Sequence, residues 1–270
     1  MVERITKQEY AAYVREHLFK PLGMDTALMC DAQMVVPHLT SGYERDRSGL
    51  VNSPFMSWKL PWAARAVCAT ATDLLKWQAA LDSGRVLTAS SLKTMRAPTT
   101  LSDGTVMDYG LGTRLGSVDG HRMIGHTGGG GGFGNALENC PDDHVTVVVL
   151  MNTGSAAGRA VALATAIARP LLGLPEKKTI RDLTVPKGEL GAVSATFESE
   201  EGTDETYESG GKLHFRNPVT HAEGVMLRQS EYVYAINEDI EVRFVVRDGR
   251  PVWSVVYIGG MMMDAGVRLR

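Results

Sequence analysis

The stretch Gly125–Asn135, which reads GHTGGGGGFGN, places five consecutive glycines inside a folded chain. Glycine loses more backbone freedom on folding than any other residue, so such a run is unfavourable unless the fold requires bare backbone. Strands are predicted on both sides, at His121 to His126 and at Val145 to Met151, where VTVVVLM is typical of a strand covered on both faces. We therefore expect a ligand to approach the glycine backbone closely, just before the chain reverses.

Other interpretations of the glycine run fit the sequence less well. A Walker phosphate loop would end in a lysine and a serine or threonine, but Phe133, Gly134 and Asn135 follow the glycines. A Rossmann fingerprint needs a helix after the glycines and an acid about twenty residues further on, and here a strand follows instead. A flexible linker is disfavoured because predicted strands flank the run closely.

The composition is that of a globular protein without a strong charge. The 270 residues are 44% hydrophobic and 22% charged, which suffices for a core in one large domain or two ordinary ones. A net charge of -3 provides no bulk attraction to nucleic acid or to an anionic membrane. We expect no nucleic-acid partner and no membrane span, because no apolar run is long enough to cross a bilayer. The charged start of the chain also lacks the apolar centre of a secretory signal.

Residues that could bind metals are scattered along the chain. Cys30, Cys68 and Cys140 form no C-x-x-C, so we expect buried free thiols and neither a disulfide framework nor a zinc site. The run Met261–Met263 is expected to be strand end and core filler. No metal-binding spacing connects the histidines outside the glycine stretch, which are His17, His38, His121, His144, His214 and His221. The sequence therefore predicts no metal and no cofactor.

The first part of the chain, residues 1–172, predicts an α+β arrangement in which helices flank an antiparallel sheet. The first helix is expected to begin at a capping box of Thr6 and Glu9 and to end near Pro21. Caps and apolar periodicity predict later helices at Thr70 to Gly84, Ser90 to Met95 and Gly158 to Leu172.

An irregular segment at residues 25–66 is punctuated by proline and glycine. Loops of this length are uncommon and are often functional. Its Tyr43, Trp58 and Trp62 could wall an acyl-binding pocket or could simply pack, and the sequence leaves both possibilities open.

The last part of the chain predicts a small all-β domain. Residues 173–187 are polar, contain two prolines and predict a linker. After it, residues 188–270 hold about eight short alternating runs with turn signals between them, which is typical of a small up-and-down barrel or a sandwich. We expect the barrel. The pair Asp248-Gly249 between two such runs predicts a tight hairpin.

Four pieces of residues 1–172 together resemble a known family. They are YVREHLFKPLGMDT at 13–26, AVCATATDLLKWQAALDSGRVLTASSLKTMRAP at 66–98, DYGLG at 108–112 and GHTGGGGGFGN at 125–135. In this order and spacing they resemble the C-terminal part of the beta-lactamase-related serine hydrolases, which include class C beta-lactamases, D-alanyl-D-alanine carboxypeptidases and related esterases. The tail resembles the lipocalin-like accessory barrel of some members. A partial beta-lactamase/transpeptidase-like fold is therefore expected.

The resemblance implies acyl transfer from an ester, peptide or beta-lactam to water. In this family an S-x-x-K serine attacks the carbonyl, its lysine and a Y-x-N tyrosine move the proton, and water releases the acyl group. The third motif, here H-T-G, lies on the strand beside the nucleophile and contributes to the oxyanion hole. The resemblance implies that the substrate-binding residues are His126, Thr127, Gly128, Gly129 and Gly130.

The sequence departs from the family pattern in its catalytic motifs. It contains no Y-x-N, and the residues before Pro21 hold neither motif. The S-x-x-K at Ser90 to Lys93 follows the PLGM turn, so we expect a cap serine and a solvated lysine on a surface helix there. The chain is expected to be a family member without its N-terminal part, with no catalytic residue of its own.

Three hypotheses follow from this departure. The chain could be a serine hydrolase remnant that is inactive by itself. It could be a non-catalytic module that binds a ligand or peptide. It could also be a fragment that associates with a partner or with itself through an exposed sheet edge. The sequence leaves the cellular location open.

Overall fold

Short helices interrupt a chain that is mostly strand and loop. The computed structural model describes residues 1–30, 34–54, 66–154, 157–199 and 202–269. A π turn at Arg15–Phe19 and a 3-10 turn at Lys20–Leu22 continue the second helix. The helices of this described part are α1 (Val2–Thr6), α2 (Tyr10–Val14), α3 (Ala71–Asp82), α4 (Ala89–Met95), α5 (Ala157–Leu171) and α6 (Glu189–Val193).

The helices predicted at Thr70 to Gly84 and at Ser90 to Met95 are confirmed as α3 and α4, and each begins at a threonine cap. The Thr70 hydroxyl accepts a hydrogen bond from the Asp73 backbone N–H at the start of α3, over 3.3 Å. The Thr88 hydroxyl does the same for the Ser91 N–H of α4, over 3.2 Å. Each cap satisfies a backbone donor that has no partner within the first turn of its helix.

The predicted capping box of Thr6 and Glu9 is wrong. Thr6 is the last residue of α1, and its hydroxyl donates back to the Val2 carbonyl over 3.0 Å. Glu9 precedes α2 but makes no side-chain cap, and the Tyr10 N–H donates to the Glu3 carboxylate instead, over 3.0 Å. The Thr6 hydroxyl therefore bonds within α1, because the single helix that was predicted here is two helices, α1 and α2.

The expectation that Cys30 and Cys68 are free thiols is also wrong, because the two form a disulfide. The strand β1 (Leu28–Met29) pairs antiparallel with β4 (Val67–Cys68), and the Cys30 N–H donates to the Ala66 carbonyl over 2.7 Å. This pairing brings their Cα atoms to 5.7 Å, a normal disulfide distance. Cys140 is a buried free thiol as predicted, and burial raises its pKa to about 11.

The segment predicted to be irregular contains a small antiparallel hairpin, made of β2 (Tyr43–Asp46) and β3 (Gly49–Asn52). The strands that follow β4 include the predicted ones. They are β5 (Thr99–Thr100), β6 (Val106–Met107), β7 (Arg114–Val118), β8 (His121–Gly130), β9 (Phe133–Cys140) and β10 (Val145–Met151). β9 pairs antiparallel with both β8 and β10, which gives the expected antiparallel sheet.

The described residues form two compact units. One contains Met1–Ala97, Leu111–Thr113 and Ile124–Ala164, and the other contains Pro98–Gly110, Arg114–Met123 and Thr165–Arg270. Residues 172–188 carry no helix or strand. The predicted domain boundaries at 172 and 188 stay predictions.

In the first unit, α3 lies against the sheet and is fixed to it by a polar network. α3 packs on β10, and the Asp82 carboxylate at its end accepts from Asn139 Nδ2 of β9 over 3.0 Å. The same carboxylate accepts from Gln78 Nε2 over 2.9 Å and from Arg96 over 2.6 Å. One aspartate thus links α3, the sheet and the end of α4. Helices flanking the sheet are confirmed to this extent.

The second unit contains a closed eight-stranded antiparallel barrel, which confirms the predicted barrel. The barrel closes because its last strand pairs with its seventh and also with its first. The predicted hairpin at Asp248-Gly249 is present, with φ values of 50° and 69°. Its strands are β11 (Ala195–Ser199), β12 (Gly202–Ser209), β13 (Lys212–Arg216), β14 (Glu223–Ser230), β15 (Val233–Ala235), β16 (Ile240–Arg247), β17 (Arg250–Ile258) and β18 (Met261–Arg268).

The barrel core contains side chains from its strands and from α6. Met261 and Met262 at the start of β18 are buried, which confirms the role predicted for the methionine run. The likeness of the barrel to lipocalins stays a prediction. One buried cluster combines both kinds of element and consists of Leu190, Val193, Phe197, Leu213, Met226, Tyr234, Val242 and Phe244.

A buried ion pair fixes α6 to the barrel. The Arg228 guanidinium donates two hydrogen bonds to the Glu189 carboxylate, over 2.8 and 2.9 Å, and the Tyr234 hydroxyl donates a third over 2.8 Å. Burial raises the pKa of Glu189, but the hydrogen bonds from Arg228 and Tyr234 outweigh it and hold this pKa below its usual range. The carboxylate is therefore charged and satisfied inside the barrel.

Residues 98–110 form a strap over the outer face of the barrel. This strap contains the short hairpin of β5 and β6, and its Met107 packs with Val255 and Tyr257 of β17. The Tyr257 hydroxyl donates to the Asp108 carboxylate over 2.7 Å. The Trp253 indole N–H donates to the Asp103 carboxylate over 3.1 Å. Both contacts join the strap to the same strand.

None of the described helices has the length and apolar character that a bilayer-crossing helix needs.

Removing the disulfide is expected to destabilise the first unit. Its cysteines are 38 residues apart, and a cross-link of this span restricts the unfolded chain by roughly 2–4 kcal/mol. Urea unfolding with and without dithiothreitol measures the difference. Cys30→Ser is the control, because its unfolding should no longer respond to the reductant. Equal stability of the oxidised and reduced wild type would contradict the prediction.

Glu189→Gln is expected to lower the free energy of unfolding by about 2–4 kcal/mol, because it leaves the Arg228 charge unpaired. The Glu189 pKa is lowered in the folded state, so its contribution is complete above the ordinary value of 4.5 and is lost as the pH falls through the lower folded value. The gap between wild type and variant should therefore be constant above pH 4.5 and shrink in acid.

Urea unfolding across this pH range measures the gap. Glu208→Gln on the exposed end of β12 is the matched control and should leave the stability unchanged. A gap of the same size at low and neutral pH would argue against the ion pair.

Candidate active site

The glycine stretch forms a hairpin between β8 and β9. β8 continues as strand through Gly128 and Gly129 to Gly130, beyond the predicted end at His126. Gly130 is paired with Phe133, so only Gly131 and Gly132 make the turn, with φ values of 59° and 79°. Both values lie in the left-handed region, which two-residue hairpin turns require and glycine adopts freely. The predicted tight reversal is therefore confirmed.

Gly132 is also required because the chain passes very close to it. A Cβ atom on Gly132 would lie 2.4 Å from the Tyr43 nitrogen and 2.7 Å from Ser53 Cβ. The Tyr43 N–H donates to the Gly132 carbonyl over 3.3 Å and to the Asn152 carbonyl over 2.9 Å. The turn is thus packed against the protein's own backbone, and at this position that backbone takes the place expected for a ligand.

Gly128, in contrast, faces open space. A Cβ atom there would meet only the Asn135 side chain of β9, at 3.8 Å, which is an ordinary contact. Gly128 and its neighbour Gly129 are both exposed. No steric requirement of the described fold explains a glycine at this position, and the close approach of a ligand to this half of the run stays a prediction.

His126 and Thr127 lie at the boundary between the buried and the open part of β8. Met123, Ile124 and Gly125 are buried, whereas His126 is exposed and Thr127 half-buried. His126 Nδ1 donates to the Thr127 carbonyl oxygen over 2.7 Å, because a carbonyl oxygen can only accept. The strand thus presents an imidazole, a hydroxyl and bare backbone along one open end.

The S-x-x-K motifs lie on exposed surfaces. Ser90 and Lys93 are exposed on α4, which confirms the predicted surface helix. The expectation that Ser90 is the cap serine is wrong, because Thr88 is the N-cap and Ser90 lies in the first turn of the helix. A further match at Ser209 to Lys212, which was not predicted, closes the β12–β13 turn. Lys212 there forms an ion pair with Asp182. No burial or adjacent base activates either serine as a nucleophile.

The aromatic residues proposed for an acyl pocket are only partly described. Tyr43 lies beside the glycine turn and contacts it through its backbone. Trp58 and Trp62 fall outside the described residues. Within the described ranges, no three His, Cys, Asp or Glu side chains are grouped to hold a metal.

A model of the Beta-lactamase family matches residues 1–171, which include the glycine hairpin. The chain belongs to the Beta-lactamase family. The resemblance found in the sequence is therefore confirmed at the level of the family. The barrel follows the residues that the family model matches.

D-aminopeptidases are related to this chain in sequence. The enzyme of Brucella ovis is 27% identical over 184 residues, which are 67% of this chain and 34% of that protein. The enzyme of Brucella anthropi is 26% identical over 183 residues, with the same shares. The chain thus spans about a third of the length, 34%, of the curated relatives it matches.

Solved structures share the fold over nearly the whole chain. SurE has a TM-score of 0.60 at 18% identity and covers 99% of this chain and 65% of its own. The octameric penicillin-binding protein homologue from Pyrococcus abyssi has a TM-score of 0.56 at 18% identity, with 97% and 61% covered. At this identity the likeness shows the fold. The self-association of this chain through a sheet edge stays a prediction.

Two glycine substitutions should change the free energy of unfolding differently in the two halves of the glycine run. Gly132→Ala is expected to cost about 2–5 kcal/mol of unfolding free energy, because it combines a left-handed backbone with a backbone clash. Gly128→Ala should leave the stability unchanged or raise it by up to about 1 kcal/mol, because the site is open and alanine restricts the unfolded chain. Urea unfolding followed by circular dichroism measures both, and equal effects would refute the division.

Proposed function

We propose that the glycine hairpin is the substrate-facing strand and turn of a serine-hydrolase-type acyl-transfer site. His126, Thr127 and Gly128 to Gly130 form its substrate side. The observation that carries the proposal is that β8 is buried at Met123 to Gly125 and exposed at His126, Gly128 and Gly129. None of the described residues imposes a steric constraint that explains the glycine at 128. Membership of the Beta-lactamase family supports it.

The chemistry of this strand suits a bound acyl group. A bare strand allows a substrate carbonyl to approach backbone N–H groups, which are the donors that stabilise the oxyanion of acyl transfer. The His126 imidazole and the Thr127 hydroxyl add hydrogen-bonding groups at the entrance, where a substrate carboxylate or amide could be held. This site requires no metal and no cofactor.

The substrate class that we propose is an amide or peptide with a D-residue. The support comes from the D-aminopeptidases of Brucella, which are similar over 67% of this chain. It also comes from SurE, which shares the fold and has been solved with D-Leu. Esters and beta-lactams, the other acyl compounds implied by the sequence resemblance, are the alternatives.

We propose that this chain binds such a substrate without forming an acyl-enzyme by itself. Its 270 residues contain no Y-x-N, and Ser90 and Ser209, the serines of its S-x-x-K matches, lie on exposed surfaces. A module that binds a ligand or peptide without chemistry is the second candidate, and the same open strand supports it.

If the proposal is right, adding a side chain to the open part of β8 should weaken ligand binding. N-acetyl-D-alanyl-D-alanine should bind the isolated chain, and Gly128→Val should weaken its affinity at least about tenfold, because the added side chain occupies the open face. Isothermal titration calorimetry measures the affinity. Gly191→Val is the matched control, since it adds the same side chain at another glycine with nothing within 4 Å. Equal affinities of Gly128→Val and wild type would refute the placement of the site.

The catalytic half is tested separately with a fluorescent penicillin and a fluorophosphonate probe. We expect no stoichiometric labelling of the isolated chain on a denaturing gel, because the chain contains no Y-x-N and the serines of both S-x-x-K matches lie on exposed surfaces. Stoichiometric labelling would show that the chain acylates on its own, and peptide mapping would then identify the serine.

A further inference from the structure

A cavity opens on the outer surface of the barrel unit, where the strap meets the ends of β17 and β18. Its volume is about 530 Å³, which is within the range of small-molecule sites. Asp103 of the strap forms one side, and Trp253 of β17 and Val267 of β18 form another. Trp253 and Val267 are cross-strand partners, so their side chains stand on the same face of the barrel wall.

The floor of this cavity is apolar and open to solvent. Val252, Val267 and Leu269 line it, and Val267 and Leu269 are 43% and 39% exposed. The Leu269 N–H donates to the Thr196 carbonyl over 2.9 Å, which fixes this end of the chain beside β11. Exposed aliphatic side chains grouped in a concavity favour an apolar ligand group.

The rim of the cavity carries a surplus of positive charge. Asp103 is already used by the protein, because it accepts from the Thr105 N–H and the Trp253 indole and lies 3.4 Å from Arg247. The Thr105 and Trp253 hydrogen bonds lower the pKa of Asp103 to about 2, so its charge persists at neutral pH. Its negative charge is thus paired with Arg247.

Two other arginines on the rim are left without an anionic partner. Arg250 and Arg268 line the cavity, and neither makes an ion pair with any carboxylate of the described residues. Two like charges on one cavity repel each other unless an anion lies between them. A guanidinium presents parallel N–H donors that match a carboxylate. Because Asp103 is paired with Arg247, the guanidinium groups of Arg250 and Arg268 together can hold one carboxylate.

We propose that this cavity binds an apolar molecule that ends in a carboxylate. The carboxylate is held by Arg250 and Arg268, and the apolar part lies on Val252, Val267 and Leu269. A fatty acid and the C-terminus of an apolar peptide share this chemistry. The proposal is independent of the function proposed for the glycine hairpin, because all of these residues belong to the barrel unit.

Isothermal titration calorimetry of the full chain tests the proposal with decanoate, below its micellar concentration. We expect saturable binding that weakens at least about tenfold in the double variant Arg250→Gln/Arg268→Gln, because charged hydrogen bonds are lost. Arg181→Gln, which removes an exposed arginine outside the cavity, is the matched control and should bind like wild type. Acetate, which lacks the apolar chain, and decan-1-ol, which lacks the charge, should show no saturable binding.

A second pair of ligands distinguishes the two sources. Acetyl-Leu-Val-Leu with a free C-terminus should bind and its amide should not, and the tighter of the free peptide and decanoate identifies the natural class. Equal decanoate affinity of the double variant and the wild type would overturn the proposal. Absence of saturable binding by every carboxylate would overturn it as well. Unfolding curves that coincide for all variants confirm that folding is unchanged.

Discussion

The backbone at Gly132 lies against the backbone of Gly42 and Tyr43, and only a hydrogen atom fits between them. A Cβ on Gly132 would be 2.5 Å from the Gly42 carbonyl carbon, and one on Gly42 would be 2.1 Å from the Gly131 carbonyl oxygen. This contact fixes where β8 ends and β9 begins. The orientation of His126 and Thr127 depends on it, because both precede the turn on the same strand.

The same constraint divides the glycine run into two parts with different physical causes. Gly131 and Gly132 are glycine because the turn is left-handed and crowded by the chain itself. Gly128 and Gly129 lie on exposed strand, and at Gly128 the described residues leave room for a side chain, so bare backbone there only costs entropy on folding. A glycine that costs folding entropy without a structural reason is expected at a binding site, and the family of the chain is consistent with that interpretation.

Local signals in the sequence were sufficient for much of the fold. The cap at Thr70 predicts α3, and alternation with Asp248-Gly249 predicts the barrel hairpin, because each depends on residues close in sequence. The Thr88 cap of α4 was not predicted. The disulfide of Cys30 and Cys68 could not be predicted, since it depends on a two-residue strand pairing across 38 positions. The contact of Gly132 with Tyr43 was missed for the same reason. The candidate site was predicted from its motif, whereas the separation of Gly128 from Gly132 required the structure.

The most direct test of the site follows the backbone amide signals of the isotope-labelled chain by nuclear magnetic resonance during titration with N-acetyl-D-alanyl-D-alanine. The account predicts that the amide signals of Gly128 and Gly129 shift in a saturable manner, whereas those of Gly131 and Gly132, which pack against Tyr43, move much less. Unchanged Gly128 and Gly129 signals at saturating ligand, with the shifts located elsewhere in the chain, would contradict the account.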